Sequence, residues 1–185
     1  MTDTNDRVCP AALAGGLDNR LRRWLQNPRP ILEPYVHAGM TALDFGCGPG
    51  FFTLELAQLV GPSGRVIAVD LQADMLEKVR TKIQGTAFEG RIVLHQCKPD
   101  RIGWSQVVDF VLAFYMIHEL PDQAAFFREV RPLLSAQGRL FIVEPPVHVS
   151  RDAFETTLRI AQDVGFTVAA RPRVTLSKAA LLQAR

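Results

Sequence analysis

Three cysteines in 185 residues are too few and too scattered for a disulfide framework, and none of Cys9, Cys47 and Cys97 stands in the C-x-x-C spacing of a zinc knuckle. Charge of one sign is not in excess either. With 21 basic against 19 acidic side chains the net charge is +2, which gives no footing for a nucleic-acid surface. Long apolar runs are missing: the longest, 107–117, contains Asp109 and is too short to span a bilayer. The polar N-terminus has no hydrophobic signal segment, so a cytoplasmic protein with no membrane partner is expected. No internal repeat, low-complexity tract or interdomain linker interrupts the chain.

What is there describes one well-buried domain, with 48% hydrophobic and 22% charged residues. The chain is organised around Leu43-Asp-Phe-Gly-Cys-Gly-Pro-Gly50, which follows a short apolar run and precedes Phe52, Leu56, Leu59 and Val60 at helical spacing. This reads as a strand, a glycine-rich turn and a helix start, and glycines there let the backbone take positive φ and admit a ligand. Twenty residues after Gly50, Arg65-Val-Ile-Ala-Val-Asp70 ends on a carboxylate, where a second parallel strand would place an acceptor for ribose hydroxyls. A dinucleotide fingerprint would need its third glycine at position 51, which is Phe51. Asp44, just before the first glycine, would repel a diphosphate and suits an amine or sulfonium cation.

Asp44-Phe-Gly46-Cys-Gly48-Pro-Gly50 resembles the first motif of the class I S-adenosylmethionine-dependent methyltransferases, an acidic residue followed by G-x-G-x-G. Val108-Asp-Phe-Val-Leu-Ala-Phe-Tyr-Met-Ile-His118-Glu119-Leu resembles the fourth-strand motif of their small-molecule branch, akin to the quinone C-methyltransferases, and 127–144 resembles the fifth-strand motif. The resemblance implies S-adenosylmethionine as the cofactor and a small-molecule methyl acceptor. It places Asp44 near the methionine amine, Gly46, Cys47 and Gly48 under the backbone approach, Asp70 on the ribose, and Leu71, Gln72 and Met75 around the adenine. Ala113 and Phe114 fall at the methionine end. Relatives that carry Gly-Asp-Ala after the third strand bind the adenine amine through that carboxylate; here Gln96-Cys97-Lys98 stands there, which leaves backbone groups of Cys97 and Lys98 as the contacts.

Along the chain, Leu17, Leu21, Trp24 and Leu25 share a helical stripe that Asn27-Pro28-Arg29-Pro30 stops. Arg22 and Arg23 point away from it, solvated or as a basic patch; Arg20 lies at its edge. A second short helix is expected over 31–37. Residues 1–38 are therefore read as an N-terminal arm and helical lid, and 39–185 as the cofactor-binding domain. Strands are expected at 40–43, 65–70, 91–96, 107–113 and 138–143, and helices at 51–60, 71–84, 122–134 and 150–164, with Ser150 as N-cap. Residues 166–170 and 176–182 form a closing hairpin, although 179–183 is equally compatible with a helix. This alternation demands an α/β doubly wound, Rossmann-like sheet. The resemblance supplies the rest: seven strands, mostly parallel, in the order 3-2-1-4-5-7-6.

Methyl transfer from a sulfonium asks the protein mainly to position the acceptor and exclude water, and a proton acceptor helps when the nucleophile starts protonated. His118, Tyr115 and Glu144 are the candidates at the strand ends, with His118 first because it titrates near neutrality. Each also has a structural reading, as a loop brace or cap. Two other site chemistries are open. His118, Glu144 and His148 are types that ligate zinc or iron but lack a tight motif spacing, so no metal is expected, and Cys9 with Cys97 could hold a thiophilic acceptor. Two further functions compete with the transferase: a non-catalytic S-adenosylmethionine-binding module and a nicotinamide-dependent oxidoreductase.

Overall fold

The structure, a computed structural model, describes residues 27–185. The 17–25 stripe with Arg20, and Cys9 with its suggested partnership to Cys97, lie outside the described residues. The first element, α1 (Pro28–Leu32), begins where the prolines were expected only to stop a helix. Asn27 is its N-cap, accepting from the Arg29 amide at 3.3 Å, and Pro28 at the first helical position gives up an N–H that needs no partner. The expected helix over 31–37 is corrected accordingly: it ends at Leu32, and residues 33–35 form a turn.

Seven strands follow: β1 (Thr41–Phe45), β2 (Arg65–Asp70), β3 (Ile92–Gln96), β4 (Val108–Phe114), β5 (Leu134–Glu144), β6 (Phe166–Ala170) and β7 (Lys178–Ala184). They form one sheet in the order β3-β2-β1-β4-β5-β7-β6, as expected. The first five are parallel, and β7 runs antiparallel between β5 and β6, with Glu144 opposite Lys178. The helical alternative for 179–183 fails because those residues complete two ladders at once.

Helices α2 (Thr53–Val60), α3 (Ala73–Ile83), α4 (Gln123–Val130) and α5 (Arg151–Asp163) cover both faces. Leu56, Val60, Leu76, Val79 and Ile83 pack with Ala68, Phe110, Leu112 and Phe141 on one side, where Leu32 and Val36 join them. Phe126, Phe127, Val130, Phe154 and Leu158 pack with Leu43, Ile67, Val111 and Ile142 on the other. Each of the largest of these, buried completely, contributes about 1.5–3 kcal/mol. Strand β4 has almost no exposed side chain, as a central parallel strand requires.

Two boundaries moved. The helix expected to 134 stops at Val130, because Pro132 continues it only as a 3-10 turn, Arg131–Leu133. Strand β5 then starts at Leu134, four residues early, and takes up the surplus in an irregularity opposite Val108 and Phe110.

Candidate functional site

Strand order reverses direction at β1, which pairs with β2 on one side and β4 on the other. Ligands in open α/β sheets settle in the crevice at that switch point, beyond the carboxyl ends of the strands. The glycine turn lies there. Gly46 and Cys47 both donate their amides to the Val69 carbonyl, at 2.8 and 2.9 Å, and Gly50 donates to Cys47 O at 3.1 Å. The turn thus extends the β1–β2 ladder and closes on itself, with Lys82 Nζ donating to Pro49 O at 2.8 Å from α3.

All three glycines of the motif have positive φ, but they make room for different things. A Cβ on Gly50 would press on Val79 Cγ2 at 3.1 Å, so this glycine admits α3. A Cβ on Gly46 would strike Met116 Cγ at 2.1 Å and Sδ at 2.3 Å. Gly48 alone faces open space, with nothing within 4 Å of that position. Of the three, only Gly48 leaves room for a ligand to reach the backbone, and Gly46, which the motif also offered to the ligand, gives its space to a side chain.

Asp70, at the end of β2, accepts from the Gly48 amide through Oδ2 at 2.8 Å and from the Gln72 amide through Oδ1 at 2.9 Å. Each oxygen keeps a second lone pair, so hydroxyl donors can still be accepted. Burial pushes its pKa up, and the amide bonds pull it back only in part. Asp44 is 2% exposed and accepts from Thr53 Oγ1 at 2.6 Å, which ties β1 to the first turn of α2. Thr53 carries no motif signal for this role.

Around the remaining expected contacts the structure is mixed. Leu71 and Gln72 are half-buried beside Asp70, and Met75 is buried beneath them on α3. Ala113 and Phe114 are fully committed to packing, Phe114 against Phe52 at 4.1 Å between ring centroids. The amides of Cys97 and Lys98 are engaged inside the protein, with Asp70 O and Arg101 O, both at 3.0 Å. Glu129 holds the next part of this loop through the amides of Ile102 and Gly103, at 2.8 and 2.7 Å. Cys47 and Cys97 are buried thiols; burial raises both, Cys97 to about 11.

Across the crevice, the sequence candidates after β4 and β5 do come together. Glu144 is 1% exposed; Oε1 accepts from the Ile117 amide at 2.9 Å and Oε2 pairs with His118 Nδ1 at 2.5 Å. That bond raises the His118 pKa, against the opposing effect of burial. With a carboxylate on Nδ1, the neutral ring carries its proton there and keeps an Nε2 lone pair. Glu119 is half-buried beside the pair, and desolvation raises its carboxyl. Tyr115 sits at φ +62°, a strained value for an aromatic residue, and its hydroxyl shares a 2.6 Å hydrogen bond with Ser177 Oγ on the β6–β7 loop. The His118 and His148 rings are parallel with centroids 6.3 Å apart, and no group of three or more metal-ligating side chains forms among the described residues.

A donor set of this kind fits a cationic nucleoside. Gly48 is bare, while the turn's amides at 46, 47, 48 and 50 are all spent within the protein, so the phosphate cradle of a dinucleotide site is not built here. Together with an antiparallel β7 in the sheet, this places the fold among the class I S-adenosylmethionine-dependent methyltransferases. The chain belongs to the methyltransferase-domain family, whose sequence profile matches residues 36–166.

Among its relatives, the demethylmenaquinone methyltransferase of Lactobacillus johnsonii is 34% identical over 110 residues, 59% of this chain and 45% of that protein. The ubiquinone/menaquinone biosynthesis C-methyltransferase UbiE of Hahella chejuensis is 29% identical over the same length, 59% and 44% of the two chains. The chain thus spans about half the length of the curated relatives it matches. A crystal structure of an S-adenosylmethionine-dependent methyltransferase from Aquifex aeolicus superposes with a TM-score of 0.83 at 25% identity, covering 94% of this chain and 99% of that one.

Proposed function

We propose that this protein transfers a methyl group from S-adenosylmethionine to a small, ring-shaped acceptor bearing an ionisable hydroxyl, of the quinol kind that the curated relatives' names imply. The observation that carries this reading is the His118–Glu144 pair, held at the ends of β4 and β5 on the far side of the crevice from Asp70. Asp70 accepts from the ribose, Gly48 lets the ligand reach the backbone, and Asp44 adds the negative field that favours the methionine amine. Leu71, Gln72 and Met75 border the adenine beside the 97–98 backbone, with Cys47 packed beneath the turn and Ala113 and Phe114 forming the floor. When bound, S-adenosylmethionine supplies a methyl on a positively charged sulfur, which leaves as a neutral thioether as the acceptor's electron pair bonds to carbon.

The chain's own residues prepare that acceptor. His118 Nε2 takes the hydroxyl proton, so that the electron pair on the ring becomes nucleophilic. Once the new carbon–carbon bond has formed, the methylated carbon gives up its own proton to solvent and the ring oxygen takes one back from the imidazolium, which restores the aromatic quinol and the neutral histidine. Glu144 fixes the tautomer through Nδ1 and stabilises the imidazolium that results. Tyr115 walls the acceptor side through its strained backbone and its bond to Ser177. α1 enters the fold beside α2, where Arg29 pairs at 3.3 Å with Glu55 in the first turn of that helix, next to the glycine corner.

Calorimetry with S-adenosylhomocysteine, followed by product detection with a reduced naphthoquinone bearing a free ring position, tests both halves. Binding together with a methylated ring is expected. Binding with no transfer to any quinol would reduce the protein to a cofactor-binding module; tight binding of a nicotinamide dinucleotide instead would overturn the reading. No helix among the described residues is long and apolar enough to cross a membrane.

A further inference from the structure

The loops after β1 and β4 face each other across the switch point, and the Met116 side chain reaches from the second onto the first. Met116 lies over Gly46: a Cβ built there would meet its Cγ at 2.1 Å, its Sδ at 2.3 Å and its Cε at 2.9 Å. The contact explains why position 46 is glycine without any reference to a ligand. Met116 is also half-buried rather than sealed, so part of its side chain remains open on the crevice. Its backbone is held on both sides, by Tyr115 at φ +62° before it and by the Glu119 amide, which donates to Met116 O at 3.1 Å. Two residues later comes His118, fixed by Glu144.

We propose that Met116 is the wall of the methyl-transfer site: it contacts the sulfur end of bound S-adenosylmethionine and limits the size of the alkyl group that the sulfonium can carry. The proposal rests on the cofactor reading given above. The ribose acceptor, Asp70, and the bare Gly48 lie on the β2 side of the corner, and the proton acceptor lies on the β4–β5 side. The reacting carbon must lie between them, and Met116 spans that interval. A thioether suits the place. It carries no charge to oppose a sulfonium and no proton to compete for the acceptor, and its unbranched, polarizable chain adapts to the shape beside it. A Met116 that served only to fill the space over Gly46 would be indifferent to both the cofactor and the size of its alkyl group.

The sequence makes the test direct, because there are four methionines. Protein labelled with 13C at the methionine methyl groups is titrated with S-adenosylhomocysteine, and the Met116 signal is assigned from its loss in Met116→Leu. The Met116 signal is expected to move on saturation. The signal of Met40, which precedes β1 at the opposite end of the strand and takes the His37 amide on its sulfur, is expected to stay. In a second arm, calorimetry compares S-adenosylmethionine with its S-ethyl analogue. The wild type should prefer the methyl compound by about tenfold or more, the scale on which a packed wall discriminates one methylene, and Met116→Ala should bring the two within about threefold. Failure of S-adenosylhomocysteine to bind the wild type would defeat the underlying cofactor reading. Normal binding with a stationary Met116 signal, or a wild type that takes both sulfonium compounds equally, would overturn the wall assignment alone; the wild-type measurements stand even if the alanine variant does not fold.

Discussion

Buried or half-buried carboxylates sit at both ends of this sheet, and the two ends use them differently. At the amino end, Asp109 of β4 accepts from the Thr41 amide at 3.0 Å and from Ser135 Oγ at 2.9 Å, fastening β1 and β5 to the strand between them. At the carboxyl end, Asp70 and Glu144 also accept backbone amides, but each keeps one side turned to something open: Asp70 to the bare Gly48, Glu144 to an imidazole that is 26% exposed. A hydrogen-bonded carboxylate is therefore not in itself a sign of function. The sign is that its partner is left with unspent capacity. Backbone strain follows the same division, since Tyr115 stands at the carboxyl end of β4.

The largest expected effect is at the carboxyl end. Glu144→Gln should lower kcat by about a thousandfold, because the imidazole loses its fixed tautomer and the stabilisation of its charge, while S-adenosylhomocysteine affinity stays within about threefold. A similar loss of affinity and rate together would mean that Glu144 merely supports the fold. Next comes Asp70→Ala, expected to weaken S-adenosylhomocysteine by about a hundredfold in calorimetry, the scale of hydrogen bonds to a charged acceptor. Unchanged binding would remove the ribose assignment. Asp109→Ala should do the reverse: ligand affinity unchanged and Tm lower by about 4–8 °C, corresponding to roughly 2 kcal/mol in a chain of this size. If Asp109→Ala instead impaired binding, the contrast between the two ends would collapse.

The smallest effects are those of pH. Because Glu144 raises the His118 pKa, the histidine is charged over a wider range than usual, and as a proton acceptor it works only once deprotonated. The kcat profile should therefore rise with pH through a value above the ordinary 6.5, and in Glu144→Gln that limb should move to lower pH. For stability the sign is opposite. The folded pKa is raised, so the contribution of the pair is complete below about 6.5 and is lost as pH climbs through the higher folded value. The wild type should lose Tm across that window, and the Gln variant should lose less; parallel curves would show that the pair is not coupled in solution.

Much of this was legible in the sequence because it depends on short-range patterns. The strand, glycine turn and helix at 41–60, and the carboxylate closing β2, are local features whose spacing the fold preserves. The start of α1 was equally local, since Asn before Pro is a helix cap and first turn as well as a stop. What sequence could not supply was anything set by two loops meeting. Met116 over Gly46 follows from the pairing of β1 with β4, and nothing at either position announces the other. The Thr53 bond to Asp44 and the Lys82 bond to Pro49 O are of the same kind. The 97–98 amides were offered to adenine by position alone, whereas in the folded chain they are already bonded to Asp70 O and Arg101 O.

The bond from Tyr115 to Ser177 has a bearing on how this protein can be altered. It fastens the terminal hairpin, at the edge of the sheet, to one of the two non-glycine residues with positive φ among the described residues. Shortening or grafting the 171–177 connection, a surface loop that an engineer would regard as free territory, would release that tether and let position 115 slide back to an ordinary backbone angle. The neighbouring methionine and histidine would then drift together, so changes at the rim would register at the centre.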